Sequence, residues 1–194
     1  MRSMVKFGAI LGGICLIATG LLSAMNIVTS GRIKAQAEIE LKSSLQEVMP
    51  EGVSFEPADG SNDPAYYKVT DSAGRFIGAA FKASAKGYSS TIETIVGMEP
   101  DGTINAIKII SQQETPGLGS RIAEIAGTVS IADFLRGKRQ QAGLRPWFQI
   151  QFDNKTVTGL DQVEAITGAT VSSRAVIDSV KQKARQIQTE LANG

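Results

Sequence analysis

The heptapeptide Thr167-Gly168-Ala169-Thr170-Val171-Ser172-Ser173 puts four hydroxyls into seven residues, directly before a stretch with helical spacing. A helix start offers unpaired N–H groups and the positive end of the helix dipole, which together favour a phosphate. Gly168 and Ala169 let a ligand approach the backbone closely. The hydroxyls of Thr167, Thr170, Ser172 and Ser173 add hydrogen bonds or a point of covalent modification. The same residues suit ordinary helix capping, since Ser and Thr are favoured N-caps, and both readings stand on residue types alone. A second cluster, Glu114-Thr115-Pro116-Gly117-Leu118-Gly119, follows an apolar run that ends near Ile110. Pro then Gly signals a type II turn with glycine at positive φ. A tight loop with few side chains beside a sheet end suits a flat ligand lying on backbone. Glu114 or Thr115 would hydrogen-bond its polar edge.

Composition narrows the chemistry further. The 194 residues contain no histidine, which removes the commonest general base, haem ligand and zinc ligand together. A single cysteine, Cys15, excludes an internal disulfide, and the chain cannot hold an iron–sulfur cluster alone. Histidine-dependent serine and cysteine hydrolases are excluded as well. No metal site and no independent substrate chemistry are expected, so any redox role needs an organic cofactor or a partner subunit. The formal net charge of +1 gives no general attraction to nucleic acid.

These clusters need a scaffold, and the chain supplies one after an apolar start. Residues 7–28 are apolar enough to cross a bilayer, which takes about 20 helical residues. The run exceeds a signal-peptide core of about 7–15 residues and ends without a clean small-x-small site, so an uncleaved anchor is expected. Arg2 and Lys6 before the span nearly balance Arg32 and Lys34 after it. The amino terminus tips the comparison toward a cytoplasmic N-terminus with the rest outside. Ile33, Ala37, Leu41, Leu45 and Val48 form the stripe of an amphipathic stalk helix packed on the globular part, stopped by Pro50-Glu51-Gly52.

Strands are expected over 65–70 and 75–83 around an Asp71-Ser72-Ala73-Gly74 turn, and over 91–98 and 103–110 around Glu99-Pro100-Asp101-Gly102. Phe148, Ile150 and Phe152 alternate with Gln149, Gln151 and Asp153, the pattern of a strand with one buried face. One or two short helices are expected over 121–135 and a polar loop over 137–143. A final helix spans 173–191, with Val176, Val180, Ala184, Ile187 and Leu191 on its apolar face. Paired strands with helices at the end predict an α+β fold of antiparallel strands and flanking helices. The expected division is a tail and transmembrane anchor (1–31), a juxtamembrane helix (32–50) and a globular domain (51–194).

Several motifs together, in order, resemble a known family. They are Lys86-Gly87-Tyr88, Val96-Gly97-Met98 with Asp101-Gly102-Thr103-Ile104, the Glu114–Gly119 loop, and residues 166–176. Over residues 66–180 they are similar to the FMN-binding domain family. Its members include the G subunit of the Rnf electron-transport complex and the C subunit of the Na⁺-translocating NADH:quinone reductase. The single span and the length are most similar to the Rnf G subunit. In that family the motif Asp-x-x-(Ser/Thr)-Gly-Ala-(Thr/Ser) carries FMN through a phosphoester on its last hydroxyl.

The resemblance therefore implies covalent FMN at Thr170, with Thr167, Gly168 and Ala169 in the turn before it and Ser172 and Ser173 beside it. Glu164 stands at the motif's acidic position, where the family usually has Asp. Further flavin contacts are implied for Glu114, Thr115, Gly117 and Leu118. It also implies an electron-transfer subunit of an Rnf-type complex coupling ferredoxin/NAD electron transfer to ion translocation. The implied surroundings are the bilayer, other membrane subunits and a separate flavin transferase, with the flavin domain on the extracytoplasmic side of the inner membrane. Two alternatives stay open on the residues: a stand-alone extracytoplasmic FMN carrier, and a flavin-free anchored scaffold.

Overall fold

A computed structural model describes residues 2–58, 60, 64–125 and 145–193. The chain forms two compact units, Met1–Lys42 and Ser43–Gly194. The described residues of the first are helical and belong to α1, Arg2–Val48, which is continuous through Gly31. It contains a helical stretch long and apolar enough to cross a membrane. Large apolar side chains such as Leu16, Leu22 and Ile27 stand exposed along it, as lipid-facing residues would. Cys15, within that stretch, is likewise exposed. Ile33 and Ala37 of the stalk stripe are exposed, whereas Leu45 and Val48 are buried within the second unit.

The second unit is built on a six-stranded antiparallel sheet in sequential order. Its strands are β1 (Ser54–Pro57), β2 (Tyr67–Thr70), β3 (Phe76–Lys86), β4 (Thr91–Met98), β5 (Thr103–Ser111) and β6 (Lys155–Thr156). Both anticipated turns form. Asp71 Oδ1 accepts the N–H groups of Ala73 and Arg75, and Gly74 takes φ +74°. Asp101 Oδ1 accepts Thr103 N–H, and Gly102 takes φ +89°. Such Asx contacts and left-handed glycines are what tighten a reversal. β3 and β4 pair in unbroken register from Ala79↔Met98 to Lys86↔Thr91, which delivers the Gly87–Ser90 loop to one end of the sheet.

Both faces of the central strands are covered. Helix α3 (Thr170–Asn193) lies against β3 and β4, burying Val176, Val180, Ala184 and Ile187 against Phe81, Ile92 and Val96. The end of α1 meets the sheet as well. Asn105 Nδ2 donates to Val48 O at 2.6 Å, and Lys108 pairs with Glu47 at 2.6 Å. A Cβ on Gly97 would lie 2.5 Å from Val48 O. Double coverage explains why Ile92 and Thr94 through Met98 are all buried instead of alternating.

The segment expected as a strand at Phe148 is helical. Helix α2 (Trp147–Ile150) starts after Pro146, and turns closed by Phe152 N–H to Gln149 O and Asp153 N–H to Ile150 O continue it. Phe148 and Phe152 are four apart, so an alternating pattern also fits one helical face. Their rings meet edge to face at 5.5 Å inside the core. Gln149 is buried, with Nε2 donating to Ile122 O, while Ile150 is 47% exposed. This is the reverse of what a strand requires. Of the elements expected over 121–135, a 3-10 turn, Gly119–Ile122, is seen. Residues 126–144, including the expected polar loop, lie outside the described residues.

This packing makes a direct prediction. In denaturant titrations of the full chain in detergent, Phe152→Ala should lower stability by about 3–5 kcal/mol. Ile150→Gln should change it by no more than about 0.5 kcal/mol. A large loss at Ile150 would contradict the helical assignment.

Candidate functional site

The two clusters singled out in the sequence meet in space through one carboxylate. Ser172 Oγ donates to Glu114 Oε2 at 2.5 Å, across 58 residues of chain. The same oxygen accepts Tyr88 N–H at 3.1 Å. Glu114 Oε1 accepts Ser89 N–H at 3.1 Å, Ser90 N–H at 2.9 Å and Ser90 Oγ–H at 3.0 Å. Glu114 is only 5% exposed. Burial alone would push its carboxyl pKa up, but the bonds from Ser172, Ser90 and Ser89 outweigh it and bring the pKa from 4.5 down to about 2. Neighbouring glycines make room for it. A Cβ on Gly87 would sit 2.7 Å from Oε1, and one on Gly119 would sit 2.7 Å from the Glu114 Cβ and 2.8 Å from Oε2.

Two glycine turns flank this latch. In Thr115–Leu118 the Leu118 N–H reaches Thr115 O at 3.2 Å with Gly117 at φ +74°. In Ile166–Ala169 the Ala169 N–H reaches Ile166 O at 2.9 Å with Gly168 at φ +83°. Positive φ at the third position is the type II signature. The turns touch: a Cβ on Gly168 would lie 3.4 Å from Leu118 Cδ2.

Helix α3 begins at Thr170, three residues earlier than its apolar stripe suggested. Ala169 O accepts the Ser173 N–H at 2.9 Å, so an alanine occupies the cap position and, among the described residues, no side-chain oxygen closes the helix start. The first N–H groups of a helix have no intrahelical acceptor. The four hydroxyls have divided their tasks. Ser173 Oγ is buried and accepts Ile166 N–H at 3.1 Å, and Ser172 Oγ is engaged with Glu114. Thr167 and Thr170 are exposed, and neither hydroxyl has a hydrogen-bond partner among the described residues.

Thr170, Gly168, Ala169, Ser172, Glu114, Thr115 and Leu118 line one open cleft of about 550 Å³, a volume within the usual range for cofactor sites. Of the remaining expected site residues, Gly117 is the exposed turn apex, Thr167 sits in the preceding turn and Ser173 lies beneath it; none of the three lines the cleft. Tyr88, Gly119 and Val171 line it too. Their sequence signals were the Gly-Tyr pair, the last motif glycine and the position after Thr170. The chain leading into α3 is also held from behind. Gln151 Oε1 accepts Glu164 N–H at 2.9 Å and Gln151 Nε2 donates to Glu164 O at 3.3 Å, leaving the Glu164 side chain exposed.

Arg145 pairs with Asp153 at 2.6 Å and donates to Ile107 O at 3.0 Å, a structural tie. Arg121 and Trp147 border a separate small pocket.

The cleft has the elements a phosphorylated flat ligand requires: a free helix start, a free hydroxyl upon it, and a near-bare loop alongside. Comparison with known proteins bears on the family. Residues 87–185 match the FMN-binding domain family. This chain belongs to that family. Residues 1–48 match the RnfG N-terminal region. A protein of Pseudoalteromonas atlantica, named as the G subunit of an ion-translocating oxidoreductase complex, is 30% identical, covering 95% of this chain and 88% of the relative. Proteins of the same name from Shewanella oneidensis (30%, covering 92% and 87%) and Methanosarcina acetivorans (29%, covering 84% of each) are also similar. A crystal structure of Shewanella oneidensis NqrC aligns at TM-score 0.48 and 18% identity, covering 76% of this chain and 74% of that one.

In this FMN-binding domain the Glu114 latch should show in acid titration. A carboxyl with a folded-state pKa near 2 and an ordinary value of 4.5 contributes stability above pH 4.5, lost as pH falls from 4.5 through 2. Glu114→Gln should cost about 1.5–3 kcal/mol at pH 7, the scale of a charged hydrogen bond, and flatten the pH dependence between 4.5 and 2. Urea unfolding at pH 7 and pH 3 measures both. An equally steep acid loss in the variant would remove Glu114 as its source.

Proposed function

We propose that this chain is the FMN-carrying electron-transfer subunit of a membrane-bound, Rnf-type ion-translocating oxidoreductase complex, with the flavin joined through its phosphate to Thr170. The observation that carries the reading is the placement of the Thr170 hydroxyl. It is exposed, lacks a protein partner among the described residues, and lies on the first turn of a 24-residue helix beside the cleft. Every other hydroxyl of the cluster except Thr167 is held by the protein itself, and Thr167 does not line the cleft.

Energetics favour a covalent tether. A helix start attracts an exposed phosphate by about 1 kcal/mol or less, too little to retain a cofactor in an open cleft. An ester removes dissociation altogether. FMN so held supplies electron carriage, while the protein contributes position and electrostatics. The Gly168 turn keeps the backbone close, Gly119 leaves the cleft wall bare beside it, and the Thr115 hydroxyl and Leu118 border the ring. Glu114 acts here by holding these parts in place, since both its oxygens already have donors.

The apolar helix anchors the chain in the inner membrane with its N-terminus cytoplasmic and the flavin domain outside. The names of the relatives support assembly with other subunits of such a complex. Ferredoxin and NAD chemistry then belongs to the assembly, and a flavin transferase attaches the cofactor. The exposed Glu164 carboxylate, six residues before the acceptor, remains accessible to that enzyme.

Intact-mass measurement after denaturation tests the tether. Wild-type chain made together with a flavin transferase should gain the mass of FMN less water, and Thr170→Ala should gain nothing. Unmodified wild type under those conditions, or a Thr170→Ala chain that still carries flavin, would refute the assignment.

A further inference from the structure

Tyr88 is an exposed aromatic on a rigidly held loop. It lines the same cleft as Thr170, Leu118 and Val171, and it is 74% exposed. Its backbone does not share that freedom. Gly87 N–H closes the loop on Ser90 O at 2.8 Å, and three consecutive N–H groups, from Tyr88 to Ser90, converge on Glu114. Ser89 Oγ lies 3.4 Å from Thr115 Oγ1, linking the loop to the opposite turn. The Tyr88 hydroxyl has no hydrogen-bond partner among the described residues. Leu118 and Val171, each about half exposed, complete an apolar rim around the cleft. A large ring left uncovered at a fixed position beside a binding cleft gains contact area when a flat ligand enters.

We propose that Tyr88 forms the aromatic wall of the cleft, packing against the isoalloxazine ring of a flavin tethered at Thr170 and shielding one side of it from water. The inference rests on the covalent-flavin reading and adds a residue to it. The latch then has a second consequence. Glu114 carries Tyr88 on one oxygen and, through the same oxygen, Ser172 two residues beyond the acceptor. The wall and the tether are therefore set against each other by one carboxylate. Tyr88 acts through its ring and not its hydroxyl, so phenylalanine should serve as well.

The test uses the full-length, flavin-loaded chain in detergent. Intact mass reports attachment, and collisional quenching of flavin fluorescence by iodide reports access of solvent to the ring. Tyr88→Leu should keep the full flavin mass while its iodide quenching constant rises several-fold. Tyr88→Phe should return the constant to the wild-type value. Trp147→Leu, which removes an exposed aromatic outside this cleft, should leave it unchanged. Loaded Tyr88→Leu with wild-type quenching overturns the proposal. So does a folded Tyr88→Leu chain that gains no flavin, because a wall acts on a flavin already attached. Wild-type chain without the flavin mass would instead refute the tether at Thr170, and the wall with it.

Discussion

A buried carboxylate must either give up its charge or be surrounded by donors, and Glu114 takes the second course. Burial works against ionisation, yet five hydrogen bonds hold the pKa near 2, so the group is an anion at any ordinary pH. Its donors come from two distant segments, the β3–β4 loop and the first turn of α3, while Glu114 itself follows β5. Three separate parts of the chain are thereby fixed to within hydrogen-bond tolerance at one point. The glycines at 87 and 119 are a condition of this arrangement. Any side chain there would meet the carboxylate at under 3 Å. The bare surface that a flat ligand could use is thus partly a by-product of packing around a charge.

The scaffold behind the latch is made so that α3 can serve two ends at once. From Val176 onward its apolar stripe is buried on β3 and β4, which sets the helix axis. Its first turn projects past that packing, where Thr170 and Val171 are exposed and Ser172 and Ser173 turn inward. A helix has about 3.6 residues per turn, so two outward positions followed by two inward ones are what a single turn at an interface provides. The crowding of hydroxyls follows from this. Ser173 closes the preceding turn and Ser172 ties the helix to Glu114, and the outward Thr170 is left without a structural task.

Much of this was legible in the sequence where local chemistry decides local structure. The Asp71–Gly74 and Glu99–Gly102 reversals carry their own Asx and glycine signals, and the strand over 91–98 forms over those same residues. The outer strands β1 and β6 were not legible, being short and defined by their partners. At Phe148–Phe152 the period was ambiguous, since a spacing of four satisfies both an alternating strand and a helical face. Pro146 and the Phe148–Phe152 ring contact decided for the helix. The start of α3 was misjudged because threonine resembles a cap, whereas Ala169 occupies that place. The two clusters of the cleft could be recognised as candidates, but not the bond between them. A carboxylate's partners 24 to 58 residues away leave no trace in spacing.

The separation between what is held and what is free bears on how such a site could carry electrons. Retaining a ligand by noncovalent contacts alone normally requires enclosing most of its surface, and enclosure keeps other redox centres at a distance. In the proposed function an ester at Thr170 takes over retention, so the cleft need not close. The remaining requirement is orientation, and orientation depends on rigidity around the tether. That rigidity is present in the buried Ser173, in the Gln151 amide paired with the Glu164 backbone, and in the Glu114 latch on the opposite side. A tether on a mobile loop would hold the cofactor without aiming it. On that proposal, an acceptor on the first turn of a packed helix gains attachment and direction from the same residue, and the outer side of the cleft stays open.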